Sequence, residues 1–292
     1  MERVQRIRPS LVCPRCHGSL EDRDEGLLCP ACAHTFRTVD GVPHLRVSDA
    51  GAQAGYHRGF RGRLRRSPAV YRWIFRLLAP VLVTGPDPGD RFGRLAERED
   101  GIVLDLGAGN DRRHPRFVNV DIASYPEVDL VADAEALPFA GGSVAGIVSI
   151  TLLEHVARPE RVITEAHRAL AVGGRLYVVA PFLQPFHPAP DDYRRWTLTG
   201  LREEVERDGR FRVTDKGVYC GPASAMAWML AEWLAVILSF GRPSARRILA
   251  VLFQALCSPL KWLDVVLARL PGASNAASAL YVEAQKTGPQ PG

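Results

Sequence analysis

A short apolar run that breaks into a glycine-rich turn constrains the fold of this chain more than any other stretch. Residues 102–106 have the composition of a buried β-strand, and Gly107 and Gly109 follow directly. Glycine has no Cβ, so a ligand can lie against the backbone of such a turn. Glycine turns are common, and this one therefore predicts a ligand site only together with the segments that follow it.

Four more strand-like segments follow the turn, and two of them end in an acidic residue. Residues 118–121 end in Asp121, Asp133 stands at the end of the third strand, and apolar runs at 144–150 and 175–181 supply the fourth and fifth. A carboxylate at a strand end suits the hydroxyls of a ribose. Ligands of open α/β sheets bind outside the carboxyl ends of the strands, so we expect the turn and both acids to lie at one edge.

At these residues the chain resembles the class I S-adenosylmethionine-dependent methyltransferases of the type 11 group. The resemblance covers roughly residues 100–219 and the last strand. The motifs occur in the family's order, at 105–109, 119–121, 132–139, 152–156 and 170–176. The resemblance implies an α/β, Rossmann-like fold in which helices cover both faces of a mostly parallel, seven-stranded sheet.

The resemblance also implies how S-adenosylmethionine would bind. The two glycines would approach its methionine part, Asp121 would accept both ribose hydroxyls, and Asp133 would accept from the adenine amino group. The implied cofactor-binding residues are Asp105, Gly107, Ala108, Gly109, Asn110, Asp121, Ile122, Asp133, Ala134 and Thr151. A lone aspartate is more often a helix cap or turn residue, and the positions taken together favour the functional interpretation.

The chain departs from the family pattern directly after the glycine turn. The family usually has a third glycine and a helix there, whereas this chain has Asp111 and then an arginine-rich segment. Residues 110–118 are too few for a crossover helix with its turns. We expect at most one helical turn here, with the methionine end of the cofactor meeting Asn110, Asp111 or the arginines.

Two Cys-x-x-Cys pairs near the N-terminus predict a structural zinc site. Cys13 and Cys16 precede Cys29 and Cys32, and four thiolates complete a tetrahedral site with no position left for a substrate. The alternatives are His34 in place of Cys32, or redox-active cysteines. The segment also resembles the zinc ribbon of tRNA methyltransferase activator subunits. We therefore predict a zinc-ribbon module over residues 1–47.

A basic stretch separates the cysteine module from the glycine turn. No acid occurs between Asp49 and Asp87, and residues 70–78 mix arginine with large apolar side chains as an amphipathic helix does. Such a helix suits an anionic membrane surface, and a solvated arginine face on the core is an equally weighted alternative. RNA binding ranks below both.

The loop after the fifth strand carries the candidate catalytic residues. It leaves the ligand-binding edge of the sheet and is stiffened by prolines. His187 or Asp191 would be the general base, and Tyr193 with Arg194 would orient an acceptor. The alternative is a surface loop whose charges pair with one another. His155, in the motif after the fourth strand, is expected to pack or orient rather than to catalyse.

A strongly apolar insertion interrupts the last part of the predicted sheet. The sequence predicts a helix over 158–171, which Gly173 and Gly174 stop, and a second helix over 197–207. It also predicts a sixth strand over 211–219 and a last, antiparallel strand over 280–286. Within the insertion, 225–240 is short for a membrane span and 248–270 is too charged. A hairpin in the membrane interface, a surface for a homodimer or protein partner, or a helical layer on the core remain open.

The chain is thus divided into a zinc ribbon (1–47), a basic linker with an amphipathic helix (48–99), a methyltransferase domain (100–287, with the insertion at 221–271) and a disordered tail (288–292). The N-terminus has no apolar leader, and the cysteines suit a reducing compartment, so we expect a cytoplasmic protein, peripheral on the inner membrane face.

The predicted function is methyl transfer to an unidentified acceptor, lipid-linked or glycan-type, near a membrane. Three alternatives remain. An RNA methyltransferase is disfavoured because the sequence has no aromatic and basic platform for stacking bases, which makes nucleic acid a weaker partner. A scaffold that has lost the cofactor would explain the short segment after Gly109. A nicotinamide enzyme lacks the third glycine and helix that hold a pyrophosphate.

Overall fold

A computed structural model of the protein describes residues 2–24, 26–47, 78–99, 101–188 and 191–288. Residues 48–77 of the predicted basic linker, with nearly all of the predicted amphipathic helix, lie outside these residues, as does most of the predicted tail. The limits of the predicted domains stay predictions.

Eleven strands of the described residues form one continuous sheet. The strands are β1 (Glu21–Arg23), β2 (Gly26–Cys29), β3 (His34–Val39), β4 (Val42–Leu45), β5 (Val103–Leu106), β6 (Val118–Asp121), β7 (Leu130–Ala132), β8 (Val144–Ile150), β9 (Leu170–Pro181), β10 (Phe211–Cys220) and β11 (Ala279–Lys286). The α-helices are α1 (Glu2–Ile7), α2 (Pro88–Ala96), α3 (Pro159–Ala169), α4 (Leu198–Glu206), α5 (Pro222–Leu238), α6 (Pro243–Cys257) and α7 (Asp264–Leu267).

The C-terminal seven strands have the predicted Rossmann-like arrangement. Their order is β7-β6-β5-β8-β9-β11-β10; the first five run parallel, and β11 lies antiparallel between β9 and β10. The carboxyl ends of the parallel strands therefore meet at one edge, as expected. The predicted α/β fold class is confirmed, including the antiparallel last strand.

The cysteine module extends this sheet, an arrangement that its sequence does not predict. Strand β4 pairs parallel with β7, with His44 opposite Val131 and Leu45 opposite Ala132. Buried side chains of the module, among them Phe36, belong to the same hydrophobic cluster as the central strands. The seven predicted strands are thus continued by four more, and the module shares the main core.

Helices cover both faces of the sheet because neighbouring strand residues point in opposite directions. Val103 belongs to the same hydrophobic cluster as Phe92 of α2 on one face, and Leu104 belongs to the same cluster as Val162 of α3 on the other. One predicted boundary is wrong: α3 ends at Ala169, ahead of the two glycines expected to stop it. The fully buried residue that follows, Leu170, pairs with Val144 and starts β9 instead.

The apolar insertion is a helical hairpin whose base is fixed by buried polar contacts. Asp264 is fully buried and accepts from the amides of Ala223 (2.7 Å) and Ser224 (2.8 Å), at the start of α5. Lys261 donates to the carbonyl of Ala79 at 2.8 Å. Among the described residues, Pro243–Leu267 is long and apolar enough to cross a membrane, by length and composition alone. Two of the charges that argue against a membrane span in the sequence, those of Lys261 and Asp264, are buried in the structure.

Candidate active site

The glycine turn after β5 has the backbone that the sequence led us to expect. Gly107 and Gly109 have φ values of +69° and +57°, in the left-handed region that favours glycine. A Cβ at Gly107 would lie 3.0 Å from the side chain of Leu152. A Cβ at Gly109 would have no described atom within 4 Å, so the turn borders open space on that side.

The two strand-end acids take part in the turns beside this space. Asp121 accepts from the amides of Gly109 and Ala123, both at 2.9 Å. Asp133 accepts from the amide of Glu135 at 2.9 Å. An ionised carboxylate has about four lone-pair sites, so both side chains combine a capping role with the capacity to bind a ligand.

The other residues implied to bind cofactor lie along the same edge. Ala108 and Asn110 are buried in the turn after β5, and Ile122 is exposed after β6. Ala134 follows β7 and is partly buried, and Thr151 is exposed after β8 with a φ of +51°. The structure thus brings the predicted residues together, and their roles stay predictions.

An arginine network replaces the crossover helix that the family usually has after the glycine turn. Residues 107–117, all described, form turns and no helix. Arg113 lies 2.5 Å from the fully buried Asp105, and Arg112 bonds to Glu127 (2.6 Å) and Asp129 (3.1 Å). Burial raises the pKa of Asp105, although Arg113 opposes the shift. Sequence reasoning treated the arginines only as neighbours of the cofactor.

The loop after β9 is held by an internal ion pair. Asp192 bonds to Arg195 at 2.5 and 2.7 Å and accepts from the amide of His187 at 2.8 Å. Burial alone would raise the pKa of Asp192, but these hydrogen bonds outweigh it and lower the pKa to about 2. Arg195 also donates to the carbonyls of Gln184 and Pro185. Asp192 and Arg195 therefore pair with each other within the loop, as the alternative interpretation of this loop predicts.

The three predicted catalytic residues separate into two groups. Tyr193 is exposed and donates to Asp191 at 3.1 Å, which raises the pKa of the phenol. His187 points inward, where its Nε2 lies 3.8 Å from Glu154 and its ring contacts Trp228 of the hairpin. Burial lowers the pKa of His187, but the contacts with Glu154 and the carbonyl of Pro185, together with the charge of Asp192, outweigh this effect and the net shift is upward.

Glu154 is the residue at this edge that sequence reasoning missed. Its side chain is fully buried, and its Oε1 lies 3.8 Å from Nε2 of both His155 and His187. The rings of the two histidines meet edge to face at 5.4 Å. The adjacent pair Glu154-His155 was visible in the sequence, but its meeting with His187 depends on the packing of the β9 loop. His155 lies within this cluster, and its expected role in packing or orientation stays a prediction.

The four clustered cysteines converge at the base of the N-terminal module. The Sγ atoms of Cys13 and Cys32 are 3.7 Å apart, and those of Cys16 and Cys29 are 3.5 Å apart. Sulfurs bound at about 2.3 Å to one tetrahedral ion would be about 3.8 Å apart. A Cβ at Gly18 would lie 3.4 Å from two of these sulfurs. The four thiols are therefore arranged as ligands of a single zinc ion would be.

Residues 104–178 match the family model described as a methyltransferase domain, which confirms the resemblance found in the sequence. An uncharacterised 37.1 kDa protein in transposon TN4556 of Streptomyces fradiae is 29% identical over 206 residues, which are 70% of this chain and 54% of that protein. This chain thus spans about half the length of that relative.

Similar solved structures include phosphoethanolamine N-methyltransferase 2 of Haemonchus contortus, with 16% identity, a TM-score of 0.47, and coverage of 84% of this chain and 62% of that chain. Another is 1,6-didemethyltoxoflavin-N1-methyltransferase of Burkholderia thailandensis, with 17% identity, a TM-score of 0.41, and coverage of 82% and 87%. These similarities are too distant to indicate a substrate.

Proposed function

We propose that this chain, whose residues 104–178 belong to the methyltransferase domain family, transfers a methyl group from S-adenosylmethionine to an acceptor held at the carboxyl edge of the sheet. One observation carries the proposal: the glycine turn after β5 borders open space and is bonded to the acid at the end of β6. This juxtaposition suits a ligand that combines an amino acid with a ribose.

The residues at the edge fit this cofactor. Asp121 would bind the ribose hydroxyls, and Asp133 the adenine amino group. Among the described residues, Oδ1 of the buried Asp105 has no hydrogen-bond partner, so it suits the amino group of the methionine part. When bound, the cofactor supplies a sulfonium methyl group. The protein's task is to align the acceptor and manage its proton, with His187 directed inward and Asp191 and Tyr193 at the outer rim.

The acceptor is proposed to be lipid-linked or glycan-type and to be reached at the cytoplasmic face of an anionic membrane. Seven large apolar side chains of the hairpin are each at least 61% exposed: Met226, Trp233, Phe240, Ile248, Leu256, Trp262 and Val266. Arg242 and Arg247 are exposed beside them. Apolar anchors next to cations favour an anionic bilayer surface, and Trp228 of the same hairpin contacts His187.

Two experiments test this function. Methyl-labelled S-adenosylmethionine is incubated with the protein and a membrane extract, and label is expected in the lipid or glycan fraction; label confined to RNA would contradict the proposed acceptor. In flotation with anionic vesicles, wild type and Val172→Glu should float, because Val172 is an exposed apolar residue outside the hairpin. A Trp233→Glu, Phe240→Glu variant should stay behind. If the protein is a dimer and does not bind the vesicles, the exposed apolar surface of the hairpin is a protein interface instead.

A structural zinc ion is proposed for the cysteine module. Its four thiolates would hold the ion, and loss of the ion would affect the main sheet, because β4 of the module pairs with β7 and Val12 donates to the carbonyl of Pro138 at 3.0 Å. Elemental analysis of the purified protein should find zinc bound through Cys13, Cys16, Cys29 and Cys32. A Cys29→Ser variant that keeps the same zinc content would contradict the assignment.

A further inference from the structure

We infer that Glu154, His155 and His187 form a binding site for a divalent metal ion at the carboxyl edge of the sheet. The three side chains come from the turn after β8 and the loop after β9, and their ligand atoms all lie within 4.8 Å of one another. The site itself rests on this geometry. Its role in methyl transfer rests on the proposed function.

The carboxylate of Glu154 lacks the partners that a buried carboxylate needs. Its side chain is fully buried, and no described residue donates a hydrogen bond to either oxygen. A buried carboxylate is strongly unfavourable unless it is paired or binds a metal. Glu154 therefore points to a missing positive charge rather than to a packing role.

His155 and His187 each use Nδ1 for a hydrogen bond to a backbone carbonyl, and the other ring nitrogen, Nε2, faces Glu154. Nδ1 of His155 lies 2.6 Å from the carbonyl of Asp191, and Nδ1 of His187 lies 2.8 Å from the carbonyl of Pro185. A carbonyl oxygen only accepts, so each Nδ1 carries a proton, and in its neutral form each ring turns the lone pair of Nε2 toward Glu154. Arg195 lies 3.3 Å from Nδ1 of His187, but it has the same carbonyl as a closer acceptor.

With both rings neutral, three acceptor atoms face one another, and no other described side chain donates to the carboxylate of Glu154. A histidine that binds a metal through Nε2 usually donates its other N–H to a carbonyl or carboxylate, as both histidines do here. An ion at the centre would satisfy the carboxylate and both nitrogens at once.

The spacing fits an ion. Ligand atoms about 2.1 Å from a shared ion are about 3.4 Å apart in a tetrahedral site and about 4.2 Å apart across an octahedral one. The two Nε2–Oε1 distances of 3.8 Å fall between these values. Two imidazoles and a carboxylate favour zinc, iron(II), manganese or cobalt over magnesium and calcium, and three protein ligands leave positions open, as in catalytic sites.

An open position would bind an oxygen of the acceptor, and a metal-bound hydroxyl loses its proton more readily. The hydroxyl would release its proton to water, and its oxygen would attack the methyl carbon of the cofactor. The carbon–sulfur bond would break, and its electron pair would stay on sulfur as a neutral thioether. The site therefore points to an acceptor that is methylated on oxygen.

The alternative is that no metal binds and that protonated imidazolium rings neutralise Glu154. A metal titration distinguishes a bound metal ion from protonated histidines. Full-length protein with zinc already in its cysteine site is titrated with Co²⁺, and metal content and visible absorption are measured. Cobalt at the inferred site should give visible bands without sulfur-to-cobalt bands in the near ultraviolet, which would instead report exchange into the cysteine site.

We expect one further Co²⁺ per chain in wild type and in the control Glu160→Gln, which changes an exposed glutamate of α3. Glu154→Gln and His187→Ala should each bind it at least about tenfold more weakly. His187 lies in a loop, so its variant tests the site even where Glu154→Gln folds poorly. Binding of S-adenosylhomocysteine is measured on the same samples. If the protein binds S-adenosylhomocysteine but no second metal ion, the metal site is wrong and the proposed function stands. Wild-type affinity for Co²⁺ in Glu154→Gln or in His187→Ala would also overturn the metal site.

Discussion

Replacing Arg113 with methionine should destabilise the protein strongly at neutral pH. The Asp105 side chain is fully buried, that of Arg113 is 17% exposed, and the two lie 2.5 Å apart. Removing one partner of a buried ion pair costs about 3–5 kcal/mol, because the remaining charge is left uncompensated. Methionine keeps much of the aliphatic packing, so we expect a loss of about 3 kcal/mol in the free energy of unfolding.

The loss should depend on pH in a defined direction. Burial already raises the pKa of Asp105, and without Arg113 this pKa rises further above its unfolded value. A carboxyl group with a raised folded pKa retains its stability below the unfolded pKa and loses it as pH rises through the folded pKa. Arg113→Met should therefore lie closest to wild type in mildly acidic buffer and furthest from it in alkaline buffer.

Urea unfolding followed by far-ultraviolet circular dichroism measures this effect. The matched control is Arg116→Met on the same segment, where Arg116 donates to the carbonyl of Ala96 at 3.0 Å; it should cost about 1 kcal/mol or less. Adding Asp105→Asn to Arg113→Met should restore about 2 kcal/mol, because the buried charge is gone. If Arg113→Met lowers the free energy of unfolding by less than about 1 kcal/mol and keeps the wild-type pH dependence, the Asp105–Arg113 ion pair is not buried from solvent.

Three other perturbations have defined outcomes. Chelation of the proposed zinc ion should lower the unfolding temperature of the whole chain, because Cys29 lies in the main core cluster; separate melting of a small unit would contradict this. The pKa of His167 is lowered by burial and by the nearby Lys286 and Arg210, so stability should fall as pH drops below about 6.5, and His167→Gln should flatten the curve; identical curves would count against it. Asp264→Ala should cost about 2 kcal/mol in urea unfolding, because two amides at the start of α5 lose their acceptor; a cost near zero would mean that water replaces it.

The central sheet could be predicted because its signals are local. The apolar strands, the glycine turn and the acid that ends β6 each occupy a few neighbouring residues, and the resemblance then supplies their order. The pairing of β4 with β7 could not be predicted in this way. Four residues such as Val42–Leu45 specify a strand but not its partner, which depends on how the cysteine module packs against the core.

The candidate site was predictable in part for the same reason. The position of a strand-end residue such as Asp121 at the carboxyl edge can be predicted from the sheet topology. The position of His187 near that edge can be predicted because its loop follows a parallel strand. The meeting of His187 with Glu154 does not, because the ion pair of Asp192 and Arg195 sets the path of the loop. Arg113 was likewise visible as a charge, but its burial against Asp105 is a consequence of tertiary packing.

Calorimetric titration of the zinc-loaded protein with S-adenosylhomocysteine tests the central claim most directly. We predict one site with a dissociation constant on the order of 1–100 μM in wild type and in Glu160→Gln. Asp121→Ala should bind about 100-fold more weakly, because the ribose hydroxyls lose a charged acceptor, while circular dichroism shows that the variant is folded. Asp121→Asn, which keeps one acceptor oxygen, should fall between the two. No heat of binding from folded wild-type protein, or unchanged affinity in Asp121→Ala, would contradict the account.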